Sequence, residues 1–217
     1  SRAKEASDLI ERTRFWYMPQ GDEYKVTIKT LYDIKSENLR ENIFNNVSRL
    51  IILMGRSKIS LQQIKNIEPE SLAIKIINNG EEISDLIEET TVSLKTIQQT
   101  QPPEWQDEII NNADNLRCLL DAGLSLDAIK NIKPKSLRTK IVSNGVGSHW
   151  LIRAGLSLNK LLEIEPSPLR DKLIEHGNSA SFLFDEADKS LAQIKAIEPI
   201  ELRNTIIEKG EEVSDLI

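Results

Sequence analysis

Ser125-Leu-Asp-Ala-Ile-Lys-Asn-Ile-Lys-Pro134-Lys-Ser-Leu137-Arg138-Thr-Lys-Ile141-Val142-Ser-Asn144-Gly145 is a pattern that this chain of 217 residues writes about six times. Counted from the first aliphatic residue behind the opening hydroxyl, the copies start at Ile28, Leu61, Leu94, Leu126, Leu158 and Leu191, at intervals of 33, 33, 32, 32 and 33 residues. Equivalent positions align without internal insertions, so the length differences fall in the connector behind the last apolar pair. A constant period of this size is the mark of a stacked array, in which a unit too small to bury its own apolar edge is covered by its neighbours.

The columns read as helix chemistry. Thr27, Ser60, Ser93, Ser125, Ser157 and Ser190 stand just before the starts, where a hydroxyl accepts an orphan backbone N–H, and Gln63 and Gln193 complete capping boxes. Leu31, Ile64, Ile97, Ile129, Leu161 and Ile194 follow three residues into each copy, and Ile34, Ile67, Thr100, Ile132, Ile164 and Ile197 three later. This is one apolar edge of a helix of about two turns.

Proline fills one column at Pro69, Pro102, Pro134, Pro166 and Pro199, with Ser36 in the first copy. There it ends the first helix and presets φ for the first turn of a second. The second helix is expected to bury Leu39, Leu72, Trp105, Leu137, Leu169 and Leu202, followed by doublets such as Ile76-Ile77 and Ile141-Val142. Gly80, Gly145, Gly177 and Gly210 then read as left-handed C-caps. A third segment carries Leu53-Met54, Leu86-Ile87, Leu119-Leu120, Leu151-Ile152, Leu183-Phe184 and Leu216-Ile217. Each unit is therefore two to three short helices, and the fold class is all-α: a right-handed α-solenoid, one continuous domain over residues 1–217. Ser7-Asp8-Leu9-Ile10 repeats the Ser84-Asp85-Leu86-Ile87 and Ser214-Asp215-Leu216-Ile217 of other units, so the sequence reads as a fragment of a longer array.

Hydrophobic residues at 39% suffice for a core, and no apolar run reaches the length of a membrane span. A net charge of −6 argues against a general phosphate-binding surface. The single cysteine, Cys118, excludes an internal disulfide framework and suits a reducing, cytoplasmic compartment.

The architecture resembles that of α-helical solenoid repeat proteins. The period is close to that of ankyrin, and Gly145 through Leu151-Ile152 to Ala154-Gly155 looks like the second helix and turn of an ankyrin unit. Ankyrin's Thr-Pro-Leu-His-x-Ala opening is absent: Pro134-Lys-Ser-Leu137-Arg138 sets Leu three residues after Pro, without His. Three helices per unit is similar to armadillo and to the Puf RNA-binding repeats, while the units are shorter than most HEAT repeats. These resemblances imply a binding scaffold and no cofactor. Richness in Ile, Asn and Lys looks like an AT-rich genome, where divergent helical arrays serve as effectors of intracellular bacteria. That association implies the host cytosol.

In an array, constant columns are explained by packing, and function belongs where copies differ. The column Ile52, Asp85, Cys118, Trp150, Phe182, Asp215 offers an apolar ladder of Cys118, Trp150 and Phe182 across three units. Exposed aromatics in a row mark protein-binding surfaces, whereas buried ones would fill gaps between units. A second place is residues 11–27, an insertion with Phe15, Trp16, Tyr17 and Tyr24, four of the ten aromatics. Arg40, Arg138, Arg170 and Arg203 form a third column. It could track phosphates as in helical RNA readers, but the surrounding Glu and Asp favour ion pairs with the adjacent helix. Catalysis has no motif: His149 and Cys118 fall in adjacent columns but lack a third partner, and metal-ligand spacing is absent. The expected function is a non-enzymatic scaffold for another protein within a larger polypeptide. The alternatives are a structural spacer and an RNA binder.

Overall fold

The computed structural model describes residues 28–216, so the insertion at 11–27, with Phe15, Trp16 and Tyr17, lies outside the described residues. Every regular element among the described residues is helical. The chain divides into two compact units, Ser1–Asp114 and Asn115–Ile217. The first contains α1 (Ile28–Tyr32), α2 (Glu37–Asn45), α3 (Val47–Ser57), α4 (Leu61–Lys65), α5 (Glu70–Asn78), α6 (Gly80–Glu89), α7 (Leu94–Gln99) and α8 (Pro103–Asn111). The division falls within α9 (Ala113–Asp121). The second unit contains α10 (Leu126–Lys130), α11 (Lys135–Ser143), α12 (Gly145–Arg153), α13 (Leu158–Leu162), α14 (Ser167–Glu175), α15 (Gly177–Asp185), α16 (Leu191–Lys195), α17 (Ile200–Glu208), α18 (Gly210–Val213) and a 3₁₀ turn at Ser214–Leu216. The order is a short helix and then two longer ones, except that in the last copy the third helix has four residues and runs on into the 3₁₀ turn.

Serine starts the short helices. Ser60, Ser93, Ser125, Ser157 and Ser190 each accept the N–H three residues on. Gln63 and Gln193 accept back from the cap N–H at 2.8 Å, and Thr96 closes a third box on Ser93. Helices of five or six residues are too short to persist in water. They are held because Leu31, Ile64, Ile97, Ile129, Leu161 and Ile194 are all buried. Ile59, Val92 and Leu156, just ahead of three of the caps, are buried as well, filling the outer position of a hydrophobic staple.

The prolines sit one position earlier than expected. Pro69, Pro102, Pro134, Pro166 and Pro199 are the N-caps of the second helices rather than their first turn, with φ near −70° and extended ψ. Their peptide bonds to the preceding residue are cis. The proline carbonyl begins the helix, as in Leu137 N–H to Pro134 O at 3.0 Å. At the other end Asn46, Asn79, Asn112 and Asn144 donate side-chain N–H to the carbonyl four residues back, at 2.9–3.0 Å. At Asn46, Asn79 and Asn144 the same carbonyl also accepts the asparagine's own backbone N–H, so the amide adds a second donor at the helix end.

Gly80, Gly145, Gly177 and Gly210 are not left-handed caps. Each is the first residue of a third helix, and the positive-φ glycines are instead Gly123 and Gly155, at the end of that helix. There Gly155 N–H bonds Ile152 O and Leu156 N–H bonds Leu151 O, both at 3.0 Å, the pair of contacts of a Schellman turn. The helix-opening glycines serve close approach. A Cβ on Gly80 would lie 2.6 Å from Arg49 O, one on Gly145 2.3 Å from Asn115 O, one on Gly177 2.4 Å from Gly147 O, and one on Gly210 2.1 Å from Ser179 O.

Like packs on like within each unit. In the first, α2 meets α5 and α3 meets α6; in the second, α14 meets α17, and α12, α15 and α18 follow one another. Ile76, Ile77, Ile141, Val142, Leu173 and Ile174 fill the space between layers and are buried. Lysines clip neighbouring second helices: Lys75 to Asp107 at 2.5 Å, Lys140 to Asp171 at 2.8 Å, and Lys172 to Glu208. The hydrogen bond to Asp171 is the largest cause raising the Lys140 pKa, and that from Lys172 the largest lowering Glu208. These pairs face water and add little to stability.

Gly177→Ala is expected to cost about 2–3 kcal/mol in urea unfolding, because the new methyl must displace backbone. Gly147→Ala, whose nearest contacts are at 3.2–3.3 Å, should cost clearly less. Equal losses at the two sites would show that close helix approach is not what the glycine column provides.

Candidate protein-binding surface

The third helices bury one face and leave the opposite edge in solvent. On α12 the buried residues are Gly145, Ser148, His149 and Leu151. Val146 and Trp150, one turn apart on the other edge, are 42% and 44% exposed. Phe182 on α15 and Cys118 on α9 are half-buried, and Asp215 is exposed. In the first unit the same column holds Ile52 and Asp85, both half-buried, and Asp85 is paired with Arg56 at 2.5 Å. None of the column's residues is core.

Trp150 is held from behind. Its ring meets that of His149 edge-on, with centroids 5.1 Å apart and planes at 87°. His149 Nδ1 lies 2.8 Å from the carbonyl oxygen of Cys118. A carbonyl only accepts, so Nδ1 carries the proton in this contact. The pairing of Cys118 with His149 is therefore through the cysteine backbone. Ser84, one residue before Asp85 as His149 is before Trp150, makes the equivalent contact, its hydroxyl donating to Ile52 O at 3.4 Å. His149 thus does the work of a stacking residue while its ring orients the tryptophan. Asp121 completes the cluster, accepting from Arg153 Nη2 at 3.1 Å and lying 3.7 Å from His149 Nδ1.

Beside this edge, where α11 turns into α12 and α14 into α15, lies an open cleft of about 350 Å³. Val146 forms its border with the tryptophan; Ser143, Asn144, His176, Asn178 and Ser179 supply a polar lining. The surface is thus an apolar edge next to a shallow polar cleft, a combination able to seat an apolar side chain and hydrogen-bond the backbone that carries it.

The arginine column has a different setting. Arg40 Nη1 donates to Ile34 O at 3.2 Å, Arg138 to Lys130 O at 3.1 Å, Arg170 to Leu162 O at 3.4 Å and Arg203 to Lys195 O at 3.0 Å. Gln106 substitutes for arginine with Ile97 O at 2.8 Å. Each of these is a bond inside the same triplet, where a polar side chain meets the open carbonyls and negative dipole end of the short helix. Arg138 and Arg203 are buried. Among the described residues no group of three His, Cys, Asp or Glu side chains is placed to hold a metal ion, and no helix is long and apolar enough to cross a membrane.

Comparison with protein-family models, with curated proteins and with solved structures finds no match to this chain.

Val146, Asp121 and Arg153 went unread in the sequence, since each acquires its role only from a neighbour on the same edge or about thirty residues away. His149→Ala is expected to lower stability by about 1–2 kcal/mol, the cost of a lost hydrogen bond to Cys118 O, which keeps its bond from Ala122 N–H, and of a buried ring removed from its packing. Arg138→Met should cost about 1 kcal/mol for its helix end. Thermal and urea unfolding measure both, and an unchanged midpoint for either variant would deny that side chain its structural role.

Proposed function

We propose that this chain is a protein-binding scaffold: a right-handed α-solenoid of about six units, with its binding face on the third-helix edge at Trp150. The observation that carries the reading is an exposed tryptophan whose orientation is fixed from behind. A large ring already held in place loses little freedom on binding, which is why tryptophan anchors so many interfaces. Val146 and Phe182 extend the apolar patch, and Cys118 borders it.

The solenoid reading is supported by the constant period, by the stacking of like helices within each unit, and by a glycine column that serves the same close contact four times. The proposed setting is the cytoplasm, or a host cytosol if the protein is a secreted effector. In the arginine column Arg138 and Arg203 are buried, which leaves the RNA alternative little cationic surface to use. The structural spacer remains the second reading, and the Trp150 edge is what separates it from the first.

Two measurements test this. Trp150→Ala with Phe182→Ala should cost no more than about 2 kcal/mol of stability, since Trp150 is exposed and Phe182 half-buried rather than core, yet abolish retention of the partner on the immobilised chain. Equal retention by the double variant, or its collapse on heating, would refute a binding role for this edge. In small-angle scattering, an array should give a radius of gyration well above the roughly 17 Å of a compact domain of this length.

A further inference from the structure

The columns that are buried in inner triplets are open in the last one. Leu137 and Leu169 are 4% and 2% exposed, whereas Leu202 at the same position is 48% exposed. Ile141 and Leu173 are buried while Ile206 is half-buried, and Ile132 and Ile164 are buried while Ile197 is half-buried. Leu151 and Leu183 are fully buried, but Leu216 is 80% exposed. Ile200 adds a further exposed side chain on α17. Between α15, α16 and α17 this opens a mainly apolar pocket of about 260 Å³, lined by Leu183, Lys189, Gln193, Ile194, Ile197 and Ile206.

A triplet that caps an array carries polar residues on its outer face. This one carries Ile197, Ile200, Leu202, Ile206 and Leu216. What covers the corresponding residues of α14 and α15 is the next triplet, through α17 and α18.

We infer that the outer face of α16, α17 and the 3₁₀ turn is a docking surface for a further three-helix unit of the same kind, one whose third helix opens with glycine or, as α9 does at Ala113, with alanine. The inference rests on the array reading above. The limit on size comes from geometry: the contact made by Gly177 on Gly147 O and by Gly210 on Ser179 O passes next to the carbonyl of Glu212, two residues into α18. A second copy docking head-to-tail through its own α1–α3 does not meet it, because Val47 fills the glycine position there and would set an isopropyl group against that carbonyl.

The test appends residues 153–190, which carry the connector and the Ser157 cap ahead of Leu158, to the full chain after Ile217, and compares this fusion with the same fusion carrying Gly177→Val in the appended copy. Amide hydrogen exchange in α16 and α17 should slow by about tenfold or more in the first and return to the unfused rate in the second. Leu202→Glu should lower the melting temperature of the unfused chain by no more than a few degrees, its side chain being 48% exposed, and lower that of the fusion by clearly more. Unchanged exchange in α17 on fusion overturns the inference, as does protection that survives Gly177→Val. So does a dimer of the unfused chain that Leu202→Glu dissociates, since that would make a tail-to-tail copy the occupant. The scattering profile of the unfused chain is read separately, so an array that fails to dock a further unit is distinguished from a chain that is no array.

Discussion

The contact on which the rest depends is backbone against backbone, where the first turn of one third helix lies on a carbonyl of the previous one. At Gly80, Gly145, Gly177 and Gly210 no side chain fits, since a Cβ would lie 2.1–2.6 Å from a carbonyl oxygen. So close an approach fixes the spacing of adjacent third helices, and through their connections that of the second helices within each unit. Helices of nine or ten residues gain little from intrinsic propensity. Their stability comes from burying Ile, Val and Leu between layers, and interiors pack too densely for that spacing to vary much.

The same contact governs which residues are left for solvent. A face that brings backbones together accepts glycine, serine and alanine, as at Ser148, Ala180 and Ser181. Bulky side chains on those helices are displaced to the edges. Trp150 lies one residue beyond His149, whose ring still reaches back to the preceding helix, so an inter-helix clamp and an exposed aromatic are adjacent in sequence and rigidly coupled in space. Local and functional demands do not compete here, because packing uses one edge of α12 and leaves the other free.

Much of this was legible in the residues. The serine caps, the Gln63 and Gln193 boxes and the buried positions of the short helices followed from chemistry within four residues. The misreadings share a cause. Glycine before a helix and glycine after one have the same letter, and only a carbonyl thirty residues upstream reveals that Gly177 serves contact, while Gly155 serves the turn. Proline was placed in the first turn because that is its usual position, but its carbonyl opens the helix from the cap. The bonds of the arginine column to carbonyls at the end of a five-residue helix were not read at all, because charge is visible in a sequence and open carbonyls are not.

Differences between copies carry the remaining information, and they are of two kinds. Trp150, Phe182 and Val146 differ from their counterparts in identity while their position on the edge is unchanged; the fold tolerates them without needing them, so they are free to be selected for binding. Leu202, Ile206 and Leu216 keep the identity of their counterparts and lose their burial. A conserved character in a changed environment is costly, since apolar area left in water forgoes about 25 cal/mol for each Å², and nothing in the triplet compensates for it by adding charge at those positions. The two patches therefore call for different physics: the first suits a partner that comes and goes over a preset ring, the second a neighbour that completes a hydrophobic layer and stays.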